Sequence, residues 1–528
     1  MTTHFVDWWS ARIQRRDWWC AVAFFAVATF LGVNVADDYG IAWDEPAQHW
    51  IGVYNHKAAI GEYDIYELNN RDYGPVYEVA LYQAGEWLGY KEKTGVYPFR
   101  HLMGHLLYLG GVFAFYALLR DQFGSRWFAL AGAAILLLMP RLYAHSFFNS
   151  KDLPFLVANI WCLYMLQRLL ERPHLLRGLL LAFLLAWTLQ LRIAAAVPIA
   201  LTVGFILLRL VRVPEQRWHL GATLLALPLI VVAFNYCTWP FLWEHPLESV
   251  REIWANMTHF RWTGQMRFMG REIAAADAPW YYLPLWMWLT IPLPTLALLI
   301  GGIVGMPLLI LRRWKQIGRD QKLSNGAVWW VGGLSPIVLI VVQDSVVYDG
   351  WRHVYFCFPY LLLTGLTVAF LGWQWLAQRG IRTCALAAGA VGLAYLPALA
   401  FMIGNHPYQN VYFNAFVSDA PGYRAAQFEG DYWGTSSYEA LRKLAELDSS
   451  PKIRVYASND TAIINFKMLP LEVRERYKLI PMLGAADYYM ELERPMNRPL
   501  APENRGEMVL QISVANSPLT TVYRIKRP

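Results

Sequence analysis

Two adjacent carboxylates, Asp44 and Glu45, follow directly on the first long apolar run of the chain, between Trp43 and Pro46. A carboxylate at the edge of an apolar phase can take a proton from a hydroxyl as that hydroxyl attacks an electrophilic carbon. Partial burial and a like-charged neighbour both raise its basicity. The pair also has a purely structural use, because acidic residues at a helix N-terminus offset the helix dipole. A third acid, Asp152, stands beside Lys151 where a loop enters a later apolar run. Either Asp152 shares a cleft with Asp44 while Lys151 meets a phosphate, or the two anchor that run at a membrane surface.

Further ionisable groups gather at similar places. Arg100, His101 and His105 open the second apolar run, and Tyr348 to His353 packs Asp349, Arg352 and His353 into one short turn. His101 and His105 are four apart, on one helical face, as two metal ligands can be, but no third ligand lies nearby in the sequence. Arg352 can clamp a phosphate, with Asp349 and His353 to hold its guanidinium, or it can pair with Asp349 at lipid headgroups. His406 to Asn414 and Asp431 to Gly434 are rich in aromatic and amide side chains, which suit sugar stacking and equally suit interface anchoring.

What must position these groups is a membrane-embedded scaffold. Of the 528 residues 56% are hydrophobic and only 16% charged, where a soluble chain carries about a quarter charged. The 25 Trp and 30 Tyr suit membrane interfaces. The net charge of +7 sits in short connections between apolar runs, such as Arg12, Arg15 and Arg16 or Arg312 to Lys322, which excludes a nucleic-acid-binding stripe. Five cysteines, all in or beside apolar runs, form no paired spacing. The first run, with bulky Trp18 and Trp19 and no small-residue cleavage site, reads as a retained anchor.

About eleven runs are long enough to span a bilayer. They lie near 18–36, 101–119, 126–144, 153–170, 178–192, 193–211, 218–236, 284–311, 327–345, 353–377 and 383–404. The two runs meeting at Gln190 to Arg192 can equally be one broken helix. With a cytoplasmic N-terminus every alternate connection is basic, which places 37–100, 236–283 and everything after Gly404 on the opposite side. The expected domains are a transmembrane catalytic part, 1–404, and a small α/β domain, 405–528. Within the first, loop 37–100 carries short interfacial helices, one starting at Pro46 after Glu45 and running to Lys57 and one over Val76 to Trp87. Within the second, Ser436 and Glu439 have the spacing of a capping box that opens a helix to Leu447. Strands are expected over Lys452 to Ala457, Met508 to Val514 and Thr520 to Lys526, the last two joined at Asn516-Ser517-Pro518.

With these parts in place, the chain resembles the GT-C superfamily of integral membrane glycosyltransferases, in the branch of protein O-mannosyltransferases and lipid A aminoarabinose transferases. The likeness rests on Asp44-Glu45 early in the first outer loop, Arg100 opening span two, Phe123-Gly124 before span three, Leu138-Met139-Pro140 at its end, and Asp152 before span four. It covers residues 15–210 well and later spans loosely. It implies an α-helical polytopic membrane protein of the inner membrane that transfers a sugar from a polyprenyl-phosphate donor in the periplasm, with inversion. The acceptor is a lipid, a protein or a glycan. Asp44 is then the general base, with Glu45 and Asp152 completing the catalytic set. Arg100, His101, Lys151, Asp349, Arg352, His353, Tyr73 and Glu78 are expected to bind substrate. Many relatives carry Lys-Pro-Pro where this chain has Tyr73-Gly74-Pro75, so either the donor phosphate falls to Arg352 first, then to Lys151 or Arg100, or the donor differs. No motif indicates a cofactor, although a divalent cation is compatible with the acidic groups.

Two rival classes remain at this stage. A transporter or flippase of a lipid-linked saccharide would favour charges near mid-bilayer and matched broken helices. Only Arg192 fits that pattern, and no internal repeat accompanies it. A non-catalytic scaffold would leave Asp44, Glu45 and Asp152 without a purpose.

Overall fold

Backbone that enters a bilayer must satisfy its own N–H and C=O groups, so the long apolar runs fold as helices. The computed structural model describes residues 18–90, 93–258, 262–494 and 500–525; the basic stretch Arg12 to Arg16 lies outside them. Among the described residues, nine helices are long and apolar enough to cross a membrane. The chain is therefore a multi-pass membrane protein. A bent pair and one 17-residue apolar helix bring the apolar runs to the number expected.

The first half contains α1 (Trp18–Val35), α2 (Glu45–Ala59), α3 (Val76–Trp87), α4 (Lys93–Phe123), α5 (Arg126–Leu137) and α6 (Pro140–Phe148). After these come α7 (Asp152–Glu171), α8 (Leu175–Leu191), α9 (Ala196–Arg212), α10 (Arg217–Thr238) and α11 (Pro246–Thr258). The second half adds α12 (Tyr282–Thr290), α13 (Leu293–Arg313), α14 (Gln321–Val342), α15 (Phe358–Ala377) and α16 (Ile381–Gly404). α4 packs on α7, α8 on α10, and α13 on α15. The short α2 and α3 pack on one another and leave Trp50, Trp87 and Leu88 exposed, as interfacial helices do.

Two runs expected as single spans are broken, and proline is the reason in each. Pro140 offers no N–H and forces Met139 out of helical geometry, so α5 and α6 meet at 65°. Pro292 does the same to Ile291, which separates α12 from α13. At Arg192 the chain is extended, and α8 and α9 are two helices joined by the turn Ile193–Ala195. These breaks turn α6 and Arg192 toward the loop that carries Asp44.

Beyond α16 the chain forms α17 (Tyr423–Gln427), α18 (Ser436–Leu447) and α19 (Asp460–Phe466) around a sheet. Its strands are β1 (Ile453–Ala457), β2 (Tyr477–Leu479), β3 (Tyr488–Leu492), β4 (Glu507–Val514) and β5 (Ser517–Arg524), in the order β2-β1-β3-β5-β4. The expected hairpin is present, with its turn one residue earlier: Ala515 and Asn516, at φ 46° and 61°, make the two-residue connection, and Ser517 and Pro518 already belong to β5. The expected capping box is not formed. Ser436 Oγ bonds Thr520 Oγ1 and Glu439 accepts from Tyr408, while the Asp431 carboxylate takes the Ser436 N–H at 2.7 Å and so caps α18 in its place. Tyr432 and Trp433 leave this region to pack with Tyr39, Phe147 and Phe148 of the bundle.

Candidate functional site

Asp44 stands at the start of α2 with its carboxylate 39% exposed, and Glu45 beside it is 2% exposed. Asp44 Oδ2 lies 3.6 Å from Arg352 Nη1. The Arg352 guanidinium is a hub: Nη1 is also 3.5 Å from Asp152 Oδ2, Nη2 is 3.2 Å from Asp349 Oδ2, and the rings of Tyr348 and Trp433 lie 4.8 and 4.9 Å from its centre. Asp349 reaches it because Asp349 and Gly350, at φ 56° and 73°, reverse the chain within two residues. Burial pushes the Asp349 carboxyl up, and Arg494 and then Arg352 pull it back. His353 packs its ring against Tyr348 at 4.8 Å, and its Nδ1 is buried without a partner.

Asp152 begins α7 and is held from all sides. Arg192 pairs with its Oδ1, and Asn149 Nδ2 donates to Oδ2 at 2.9 Å. Asn149 Oδ1 accepts the Asp152 N–H at 2.8 Å, so one side chain fixes both the carboxylate and the helix start. The neighbouring Lys151 makes no ion pair among the described residues. Its ammonium sits 4.0 Å from the centre of the Tyr73 ring, and burial together with Arg192 pulls its pKa down to about 7. Tyr73 and Arg192 line a cleft of about 170 Å³, closed on its other sides by Gln190, Trp239, Val250 and Trp254. Such a cleft, with Arg192 in its lining, Lys151 against its Tyr73 and otherwise mostly apolar walls, can take an anionic group on an apolar carrier.

The remaining expected site residues form a second, closed cluster. Glu45 Oε2 accepts the Ala42 N–H at 2.8 Å and lies 3.1 Å from His101 Nε2; the other ring nitrogen of His101 faces Ala36 O at 3.2 Å. Arg100 Nη2 pairs with Glu78 Oε2 at 2.5 Å, both side chains fully buried. Burial and then Arg100 pull the His49 imidazole down to about 4. Arg100 also reaches Ser150 Oγ at 3.4 Å, which joins the two clusters. His105 bonds Ser146 Oγ at 2.8 Å and stacks on Phe147, away from His101's partners. Among the described residues no three His, Cys, Asp or Glu side chains converge as metal ligands do.

Four participants were missed by the expected set. Arg192 was visible as a charge inside an apolar run and now lines the cleft. Asn149 lay in the quoted segment before Asp152, with the Asx-turn chemistry that caps helices. Trp433 and Arg494 come from the far end of the chain: Arg494 Nη2 donates to Asp349 Oδ1 at 2.9 Å and Nη1 donates to Tyr432 O at 2.5 Å. Nothing local in sequence marks either as a neighbour of Arg352.

No protein-family model matches the chain, and no curated protein matches it. Among solved structures it is similar to two of ArnT from Cupriavidus metallidurans. One, bound to undecaprenyl phosphate, has 13% identity and a TM-score of 0.49, over 96% of this chain and 98% of that one. The other, in the apo state, has 15% identity and a TM-score of 0.48, over 95% and 96%. The likeness is one of chain path at low identity, and no residue role carries across it.

Proposed function

We propose that this protein is a glycosyltransferase that moves a sugar from a polyprenyl-phosphate donor to an acceptor hydroxyl, with inversion at the anomeric carbon. One observation carries the reading: the accessible Asp44 carboxylate stands within the same charge network as a cleft bearing Arg192 and Tyr73, with Lys151 over the Tyr73 ring. Asp44 takes the proton from the acceptor oxygen as that oxygen attacks the anomeric carbon. The bond from carbon to phosphate oxygen breaks on the opposite face, and its electron pair leaves on the phosphate. Phosphate facing Lys151 and Arg192 needs no proton donor, since the cations stabilise the charge that develops. One base and one cationic leaving-group site are the parts an inverting displacement requires.

In this reading the donor-binding roles follow from which cations are already paired. Arg352, expected first, is engaged by Asp44, Asp152 and Asp349 and orients Asp44. Arg100 is engaged by Glu78. Lys151, which has no ion pair among the described residues, takes the phosphate beside the Tyr73 ring, and Arg192, paired with Asp152, lines the cleft next to it. A flippase would draw on the charged break at Arg192, but that residue faces the same cleft as the other groups and needs no second pathway. The loop 37–100 and the region 405–528 lie on the periplasmic side in this reading, and the N-terminus is cytoplasmic. Purified protein given an undecaprenyl-phosphate hexose or pentose, with an envelope lipid or protein extract as acceptor, should release undecaprenyl phosphate and label the extract. Movement of intact donor across vesicles, without release, would support the flippase instead.

A further inference from the structure

The region after Gly404 grips the loop that carries Asp44 through its backbone. Asn465, wholly buried in α19, accepts the Ile41 N–H on Oδ1 at 2.7 Å and donates from Nδ2 to Ile41 O at 3.0 Å. One amide thus closes both polar groups of a residue 424 positions away, as a neighbouring strand would. Two residues on, the Trp43 N–H donates to Trp433 O at 3.0 Å. Two residues before, Tyr39 OH donates to Gln409 Oε1 at 2.9 Å. Between them, a Cβ on Gly40 would fall 2.2 Å from Thr435 O and 2.7 Å from Asn465 Oδ1, so the approach admits only glycine. The next residue after this gripped segment is Asp44.

The same region holds the other half of the pair. Trp433, whose carbonyl holds Trp43, lays its indole against the Arg352 guanidinium at 4.9 Å. Arg494 ties Asp349, and through it Arg352, to the Tyr432 carbonyl. The contact has apolar burial of the kind any stabilising cap makes, Tyr432 and Trp433 on Tyr39 and Phe147 and Met468 on Ile41, and carries more than that. Here buried polar bonds end on the backbone beside Asp44 and on the groups that hold Arg352.

We infer that the C-terminal region sets the position of Asp44 against Arg352, and that Asn465 is the positioning residue for the base loop. The inference rests on the reading of Asp44 as the base. Misplacement of a reacting group by about 1 Å can cost about 10²-fold in rate.

The test uses the full-length protein in nanodiscs, with two readouts. In Asn465→Ala, hydrogen exchange in a peptide covering 39–45 should rise by about tenfold while β1 and β3 keep their protection. Turnover of an undecaprenyl-phosphate hexose or pentose, whichever the parent uses, should fall about 10- to 100-fold with donor KM unchanged. In an Asp44→Asn background the same substitution should add less than about twofold, because the two act through one group. Asn465→Asp keeps the acceptor for Ile41 N–H and repels Ile41 O, so it should open the same segment if Asn465→Ala proves poorly folded. Unchanged exchange at 39–45 would overturn the inference. So would an equal rise across the sheet, or a full additional loss on top of Asp44→Asn. Full turnover by Asp44→Asn alone would instead remove Asp44 as the base, and the exchange readout would still decide whether Asn465 holds the loop.

Discussion

Two charge clusters lie side by side at the mouth of this bundle, and one Asp-Glu pair feeds both. Asp44 faces Arg352 and stays 39% exposed; Glu45 turns inward to His101 and the Ala42 N–H at 2% exposure. In the closed cluster each carboxylate already has its partner: Glu78 has Arg100, and Glu45 has the His101 ring. In the open one Arg352 and Arg192 are paired too, with Asp44, Asp152 and Asp349, but Lys151 has no group of opposite charge within pairing distance among the described residues. Residue type does not separate the two. What separates them is the accessible Asp44 carboxylate and the unpaired Lys151: a buried charge with its partner holds a fold, and a charge left accessible or unpaired is free to meet a substrate.

The largest effect should distinguish the two adjacent acids. Asp44→Asn keeps shape and removes the proposed base, so turnover should fall by about 10²–10⁴ with the protein folded. Glu45→Gln should lower the unfolding temperature and leave per-molecule turnover within about tenfold. Parallel activity and thermal-unfolding measurements on both variants would erase the distinction if the two lost activity equally.

Arg100→Gln tests the closed cluster by leaving Glu78 buried and unpaired. Breaking a buried pair costs about 3–5 kcal/mol, so the variant should unfold at lower denaturant with donor KM unchanged in the folded fraction. A tenfold rise in KM without loss of stability would move Arg100 into the open cluster.

Lys151→Gln should weaken donor binding about 10- to 100-fold, the worth of one charge-assisted bond. Because its pKa is pulled down to about 7, Lys151 loses its proton as pH rises above that value. The donor phosphodiester does not change charge there, so donor KM should rise between pH 7 and 9. Lys151→Arg should flatten that rise, and a slope that survives in Lys151→Arg would point to another group.

The smallest effect concerns a buried acid that breaks the rule of the closed cluster. Among the described residues Glu429 has no hydrogen bond and only Arg494 at 3.9 Å, and burial pushes its pKa up to about 8. The folded state therefore holds a proton that the unfolded state loses near the usual carboxylate value. Stability from this group is present at low pH and declines as pH rises toward 8. Glu429→Gln should reduce the fall in unfolding temperature between pH 5 and 8 by about 2 °C. An unchanged pH dependence would place the proton elsewhere.

The spans were legible because hydropathy and loop charge report directly on bilayer crossing. Pro140 and Pro292 were visible too, yet run length alone joined what proline divides. The ionisable residues of both clusters could be named from the sequence, but not sorted. Asp44 and Glu45 are consecutive at a helix start, about 100° apart around its axis, and which one faces Arg352 depends on how that helix is docked. Docking depends on Asn465 and Trp433, single polar and aromatic residues in ordinary surroundings far along the chain. The capping box failed for a similar reason: Asp431, five residues before Ser436, satisfied that N–H first.

The central claim is that Asp44 performs chemistry and does not hold the donor. Donor affinity and single-turnover rate should be measured together on Asp44→Asn, in nanodiscs, with an undecaprenyl-phosphate sugar that the parent turns over. The account predicts affinity within about threefold of the parent and a rate lower by about 10²–10⁴. Parental turnover, or a rate loss fully explained by lost donor binding, would contradict it.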